Sequence, residues 1–222
     1  MPTFEFGDLQ EDNKEDLIVR LKSKNEKIKF RLVPNKFYFT AKHFIKEDGG
    51  WNVVDCPRVL SGDECEYCEK TQMLYDDLKK AEAENDEANV KLFNEEIRKY
   101  KVSYNFFYPI VDRDTETAKI LQVSKSVRIS LEDEYKNGTD MFKYDWILTR
   151  TERPGSDYYK LTRVDSSETK PLSEKEKKEY EKARKWNLEK LVGGKPSNQE
   201  FEEIEVDEIE KLVEDDGEKP PF

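Results

Sequence analysis

Charged and bulky residues alternate through residues 27–33 (KIKFRLV), the period of a strand with one face buried, and Pro34-Asn35 closes that run. Residues 37–45 (FYFTAKHFI) and 51–55 (WNVVD) flank the Gly-rich KEDGG and predict a hairpin. From Glu66 to Lys101 the period becomes helical. Leu74, Leu78 and Ala81 share one stripe, Val90, Phe93, Ile97 and Tyr100 another, and a break is expected near Asn85. Strands are expected again at 102–112 and 118–124, followed by a helix over 126–138 that stops at Asn137-Gly138. Residues 143–151 and 158–164 read as a final strand pair around a turn at 153–157 (RPGSD). Ser173 with Glu176 forms a capping box that opens a charged helix over 174–192, ending at Gly193-Gly194.

Five or six strands with a helix ahead of the last pair is the order of a small β-barrel. The expected class is mainly β with added helices, and the expected barrel is an OB-fold, a five-stranded Greek key. The segments divide into an acidic N-terminal arm (1–20) and a barrel core (21–165). The core contains a zinc subdomain (43–68) and a helical insertion (69–100). A charged helix (172–194) and a disordered acidic tail (198–222) follow.

Composition changes this picture in two places. The chain has 222 residues, 12% aromatic and 40% charged, which suits a packed core within a well-solvated surface. The opening MPTFEFGDLQ lacks the basic and apolar regions of a signal peptide, and no apolar run reaches membrane-spanning length. A cytoplasmic protein is therefore expected, in a host cell if it is viral, with no membrane partner. The net charge of −11 is unevenly placed. Residues 200–222 hold eleven acidic and two basic residues, giving −9 and leaving −2 for the rest. Residues 21–60 hold nine Lys/Arg against four Asp/Glu. A near-neutral body thus carries a basic segment and an acidic tail.

All three cysteines fall within residues 55–69 (DCPRVLSGDECEYCE), an odd number in a compartment where disulfides are rare. Cys56, Cys65 and Cys68 need one more ligand to enclose a tetrahedral zinc, and the chain's single histidine is His43. If Lys46 and Trp51 close the hairpin, His43 lies opposite Val54, about 7 Å of strand from Cys56. Cys65-x-x-Cys68 sits where a helix begins. One structural zinc per chain is expected, held by His43, Cys56, Cys65 and Cys68, because a Cys3His set leaves no open position for water. The deaminase pattern of His-x-Glu with Pro-Cys-x-x-Cys is missing, as are a Walker loop, a Gly-x-Ser-x-Gly elbow and a second histidine, so no enzyme is expected.

At these residues the chain resembles the zinc-containing single-stranded-DNA-binding proteins of T-even-type bacteriophages. The likeness rests on FRLVPNK (30–36), the His-x12-Cys-x8-Cys-x2-Cys array, the basic-aromatic run RKYKVSYNFFYPIVD (98–112) and the acidic tail. It covers roughly residues 25–165, and the zinc spacing is its most specific part. The resemblance implies an OB-fold with a zinc subdomain and a basic, aromatic-lined cleft for single-stranded DNA. It points to Arg31, Lys36, Lys99, Lys101 and Tyr104. The chain departs from the family in three ways. Its first basic residue is Lys14, so the family's basic arm for cooperative contact, and hence self-association along DNA, has no clear counterpart. Segment 69–98 is longer than the pattern needs. Asn105 replaces an expected aromatic, which shifts stacking toward Phe106 or Phe107.

Nonspecific single-strand binding needs cations along the backbone path and flat rings for the bases. Residues 27–46 and 98–108 supply Lys29, Arg31, Lys36, Lys42, Arg98, Lys99 and Lys101 beside rings that include Tyr38, Tyr104, Phe106 and Phe107. On alternating strands half of such rings face a core. Trp51 and Trp146 are assigned to packing, and Lys125 and Arg128 fit either a phosphate contact or a solvated helix face. The terminal Pro220-Pro221-Phe222 is similar to the acidic tails of bacterial single-stranded-DNA-binding proteins, which implies docking of replication, recombination and repair proteins. Alternatively, Ile204, Val206, Ile209 and Leu212 make a short amphipathic helix. The expected function is a non-enzymatic protein that coats single-stranded DNA in replication, recombination and repair. The alternative is a zinc-stabilised acidic adaptor that binds only protein.

Overall fold

The computed structural model describes residues 17–47, 50–151 and 158–192. In chain order the elements are β1 (Ile18–Val19), β2 (Lys27–Leu32), β3 (Tyr38–Glu47), β4 (Gly50–Asp55), α1 (Pro57–Leu60), α2 (Glu66–Ala83), α3 (Glu87–Tyr100), β5 (Ser103–Asp112), β6 (Thr117–Val123), α4 (Lys125–Lys136), β7 (Asp145–Arg150), β8 (Tyr159–Arg163), α5 (Glu174–Ala183) and α6 (Leu188–Val192). The described residues fall into two compact units, residues 17–40 with 104–192, and residues 41–103.

The first unit is a mixed sheet with helices packed on it. Its strands run in the order β1-β6-β5-β2-β7-β8, antiparallel except for the parallel pair β1–β6. On one face Phe30, Ile110, Leu121, Trp146 and Leu148 meet Val127 and Leu131 of α4 in the main core. Trp146 is buried and its indole N–H donates to the Met141 carbonyl at 2.9 Å, as a buried indole requires. On the other face Val33, Val111 and Ala118 pack on Ala183 of α5, and Phe107 and Ile120 on Leu188 of α6. Being covered on both faces explains why β5 reads as the near-continuous apolar run NFFYPIVD instead of alternating.

Two expectations are corrected in this unit. Ile18 and Val19, assigned to a loose arm, pair in parallel with Ile120 and Leu121, and Leu17 and Ile18 pack on the Phe107 cluster. A two-residue strand is too short to show a period. The rest of that arm, residues 1–16, lies outside the described residues, as do the 153–157 turn, Gly193-Gly194 and the whole acidic tail. The charged helix over 174–192 is two helices. Its capping box forms as expected, with the Ser173 hydroxyl accepting from the Glu176 N–H and the Glu176 carboxylate accepting from the Ser173 N–H. The helix then stops because the Asn35 amide donates to the Ala183 and Trp186 carbonyls at 3.1 and 3.0 Å, satisfying orphan acceptors of a helix end. Asn187 restarts the chain by accepting from the Lys190 N–H.

The second unit consists of the distal part of β3, β4 and three helices. The hairpin register is the expected one, with Lys46 opposite Trp51 and His43 opposite Val54. Glu47 also pairs with Gly50, so the connection is shorter than four residues. α2 and α3 separate at Asn85, which adopts the left-handed φ of 57° that asparagine tolerates. Asp86 then caps α3 by accepting from the Asn89 N–H at 3.1 Å.

Candidate metal centre

Three short-range features of the sequence bring the four predicted ligands together. Alternation along β3 turns Ala41, His43 and Ile45 to the buried side, and His43 is fully buried. Cys56 follows the last ladder pair and is fixed by its own N–H, which donates to the Ala41 carbonyl at 2.9 Å. Cys56 and Cys65 are the N-caps of α1 and α2, and Cys68 lies in the first turn of α2. Helix N-termini leave backbone N–H groups without intrahelical partners, so the start of α2 suits a bound sulfur ligand.

His43, Cys56, Cys65 and Cys68 form a cluster able to hold a metal ion, with all ligand atoms within 4.8 Å of one another. The Cys56 sulfur is 3.9 Å from that of Cys65 and 3.4 Å from that of Cys68. His43 Nε2 is 3.3 Å from the Cys65 sulfur and 3.7 Å from the Cys68 sulfur. A disulfide would need about 2.05 Å between sulfurs, and none is present among them. A tetrahedron with the usual zinc–sulfur and zinc–nitrogen bond lengths has edges of about 3.8 Å between sulfurs and about 3.6 Å from sulfur to nitrogen. The measured separations scatter around those edges, and the donor set fits a divalent ion of zinc's preference.

The surroundings support that fit. His43 Nδ1 lies 2.6 Å from the Tyr100 carbonyl, an acceptor only, so Nδ1 carries the proton and Nε2 turns its lone pair toward the sulfurs. The Tyr67 ring lies 5.2 Å from the imidazole and stacks on Tyr100 at 6.4 Å, and Lys70 Nζ covers the Tyr100 ring at 3.8 Å. Burial pushes the Cys56 thiol up, with the Val59 backbone N–H opposing it. Burial and the neighbouring cysteines push the Cys68 thiol up further. A coordinated divalent cation reverses that balance, because it holds the thiolate form outright.

The expected DNA contacts have a mixed placement. In the second unit Arg98, Lys99 and Lys101 are exposed around Tyr100, and Lys99 pairs with Glu96. Lys42 is ion-paired with Asp55 at 2.6 Å. In the first unit Lys36 is exposed, Tyr38 and Tyr104 are half-buried, and Lys125 lies over the Tyr104 ring at 5.4 Å. Lys29 is partly exposed, 4.0 Å from Asp145. Arg31, expected to face a phosphate, is only 7% exposed and turned inward onto Asp145. Phe106 and Phe107, expected as stacking rings, are each 6% exposed, one in each core. Arg128 is buried too, with its guanidinium 4.8 Å from the Phe37 ring and its charge paired with Glu132.

Sequence reasoning missed the Tyr100 carbonyl that orients His43, because a backbone acceptor leaves no residue signature. It also missed the buried charge cluster that holds Arg31. Asp145 accepts from Arg31 at 2.7 Å and lies 3.2 Å from Arg113 Nε, and Arg113 reaches Glu176 at 2.5 Å. Its signal was a charge at an inward strand position opposite another charge, Arg31 and Asp145 being ladder partners. Trp51, assigned to packing, is 66% exposed. Among the described residues no helix is long and apolar enough to cross a membrane. No protein-family model matches the chain, and no curated protein matches it.

Proposed function

We propose that the protein binds single-stranded DNA without sequence preference and is not an enzyme. On this reading the sheet is an OB-type barrel and the metal is a single structural zinc. The antiparallel run β6-β5-β2-β7-β8, with α4 ahead of the last pair, supports the barrel. A closed Cys3His set supports a structural ion. The observation that carries the function is the end of α3. There Arg98, Lys99 and Lys101 are exposed, a run of cations of the kind that follows a single strand's backbone. They stand on the unit built around the metal cluster, so the ion's role is to hold this surface in shape.

The test is a titration of labelled oligo(dT) and of its duplex counterpart at several salt concentrations. Preference for the single strand is expected, with log K falling against log salt by about 0.7 per phosphate neutralised. Salt-independent or absent binding overturns the reading in favour of an adaptor that binds only protein. Deleting residues 200–222, which carry −9, is expected to tighten DNA binding by removing an internal competitor for the cations. Unchanged affinity removes the competition.

A further inference from the structure

The outer face of the β3–β4 hairpin takes no part in the metal cluster. While His43 points inward, Lys42, Phe44 and Lys46 point outward, and their ladder partners are Asp55, Val53 and Trp51. Phe44 is 40% exposed, Val53 48% and Trp51 66%. Side chains directly across a ladder lie about 5 Å apart and those two residues along about 7 Å, so the three form one patch. In a chain that is 40% charged with a mean hydropathy of −0.98, adjoining exposed apolar side chains on a strand face are a place to look for a ligand.

The arrangement also indicates what kind of ligand fits. A nucleotide presents one anionic phosphate and one flat base. The hairpin presents a cation beside a ring twice over, Lys46 opposite Trp51 and Lys42 next to Phe44 on the same face. Lys42 is held by Asp55, whereas Lys46 is exposed, so the Lys46–Trp51 end is the more cationic. Indole has a large π-face, and stacking on it tolerates any base.

We propose that this face is a base-stacking site for single-stranded DNA, with Trp51 and Phe44 taking bases and Lys46 a flanking phosphate. The inference rests on the single-strand reading above and adds to it residues that neither the spacing nor the resemblance pointed to.

Intrinsic fluorescence tests it on the full zinc-loaded chain. Of the three tryptophans, Trp146 is buried and Trp186 packs on the α5–α6 side of the sheet, which leaves Trp51 as the solvent-exposed emitter. Oligo(dT) is expected to quench the wild-type emission. Trp51→Ala should lose that quenching and bind roughly five- to hundred-fold more weakly, with zinc content and melting temperature unchanged. Lys46→Gln should keep the quenching and flatten the salt slope by about 0.7. If the wild type binds the single strand but Trp51→Ala binds it equally well, the hairpin site is overturned and the single-strand reading stands. If the wild type does not bind at all, both fall together.

Discussion

Replacing Cys65 with serine is expected to abolish metal binding and to unfold the unit formed by residues 41–103. A structural zinc contributes about 10–16 kcal/mol of apparent binding free energy in small zinc domains, and that energy is folding energy because the site is not preformed in the unfolded chain. Among the described residues, the packing between the two long helices of this unit is modest. α2 and α3 are amphipathic helices of 18 and 14 residues with only Leu78, Ala81 and Ile97 buried between them. Zinc content by mass spectrometry and helical content by circular dichroism should fall together. A chelator added to the wild type should reproduce the loss. A Cys65→Ser protein that keeps its helices without metal would show that the helix pair, and not the ion, holds the unit.

The second large effect is expected in the first unit. Asp145→Asn should destabilise the protein by about 3–5 kcal/mol, the usual penalty for leaving a buried charge without its partner. Asp145 is fully buried and receives Arg31 at 2.7 Å and Arg113 at 3.2 Å, while Glu176 takes the other side of Arg113. Two cations and two anions balance, and the Lys170 carbonyl accepts from both guanidiniums. Removing one anion leaves an unbalanced cation with little access to water. Lys29→Met is the contrast, since Lys29 is partly exposed and 4.0 Å from Asp145, and it should cost less than about 1 kcal/mol. Urea denaturation measures both. Asp145→Asn within 1 kcal/mol of wild type would mean that the quartet is not a stability element. A third variant separates structure from the proposed DNA contact, because Arg31→Met should lower stability and leave the salt slope of any DNA binding unchanged.

Local features of the fold were legible where one physical rule acts alone. The Gly-rich hairpin gave its register because strand pairing is an integer count, and that count put His43 opposite Val54 and near Cys56. The capping box at Ser173 and the break at Asn85 were legible because each depends on residues within three or four positions. Features that depend on distant partners were not. The stop in the charged helix needs Asn35, about 150 residues away in sequence. The inward turn of Arg31 needs Asp145, and the burial of Phe107 needs α6. Basic and aromatic residues look alike in a sequence whether they face a ligand or a neighbour. For that reason candidate metal ligands, which must cluster, are easier to pick out than residues that would touch DNA, which need only be exposed.

The hairpin register has a consequence for how this segment can vary over evolutionary time. His43 and Phe44 are adjacent and serve opposite sides of one ladder, so the two arms share a parity. An odd-numbered insertion in either arm would exchange the ligand for the ring unless a bulge absorbed it. The two-residue connection at 48–49 lies beyond the last pair, and lengthening it leaves the parity intact at a small entropic cost. Length variation among homologous chains should therefore collect at the tip, while the arms should change by substitution alone.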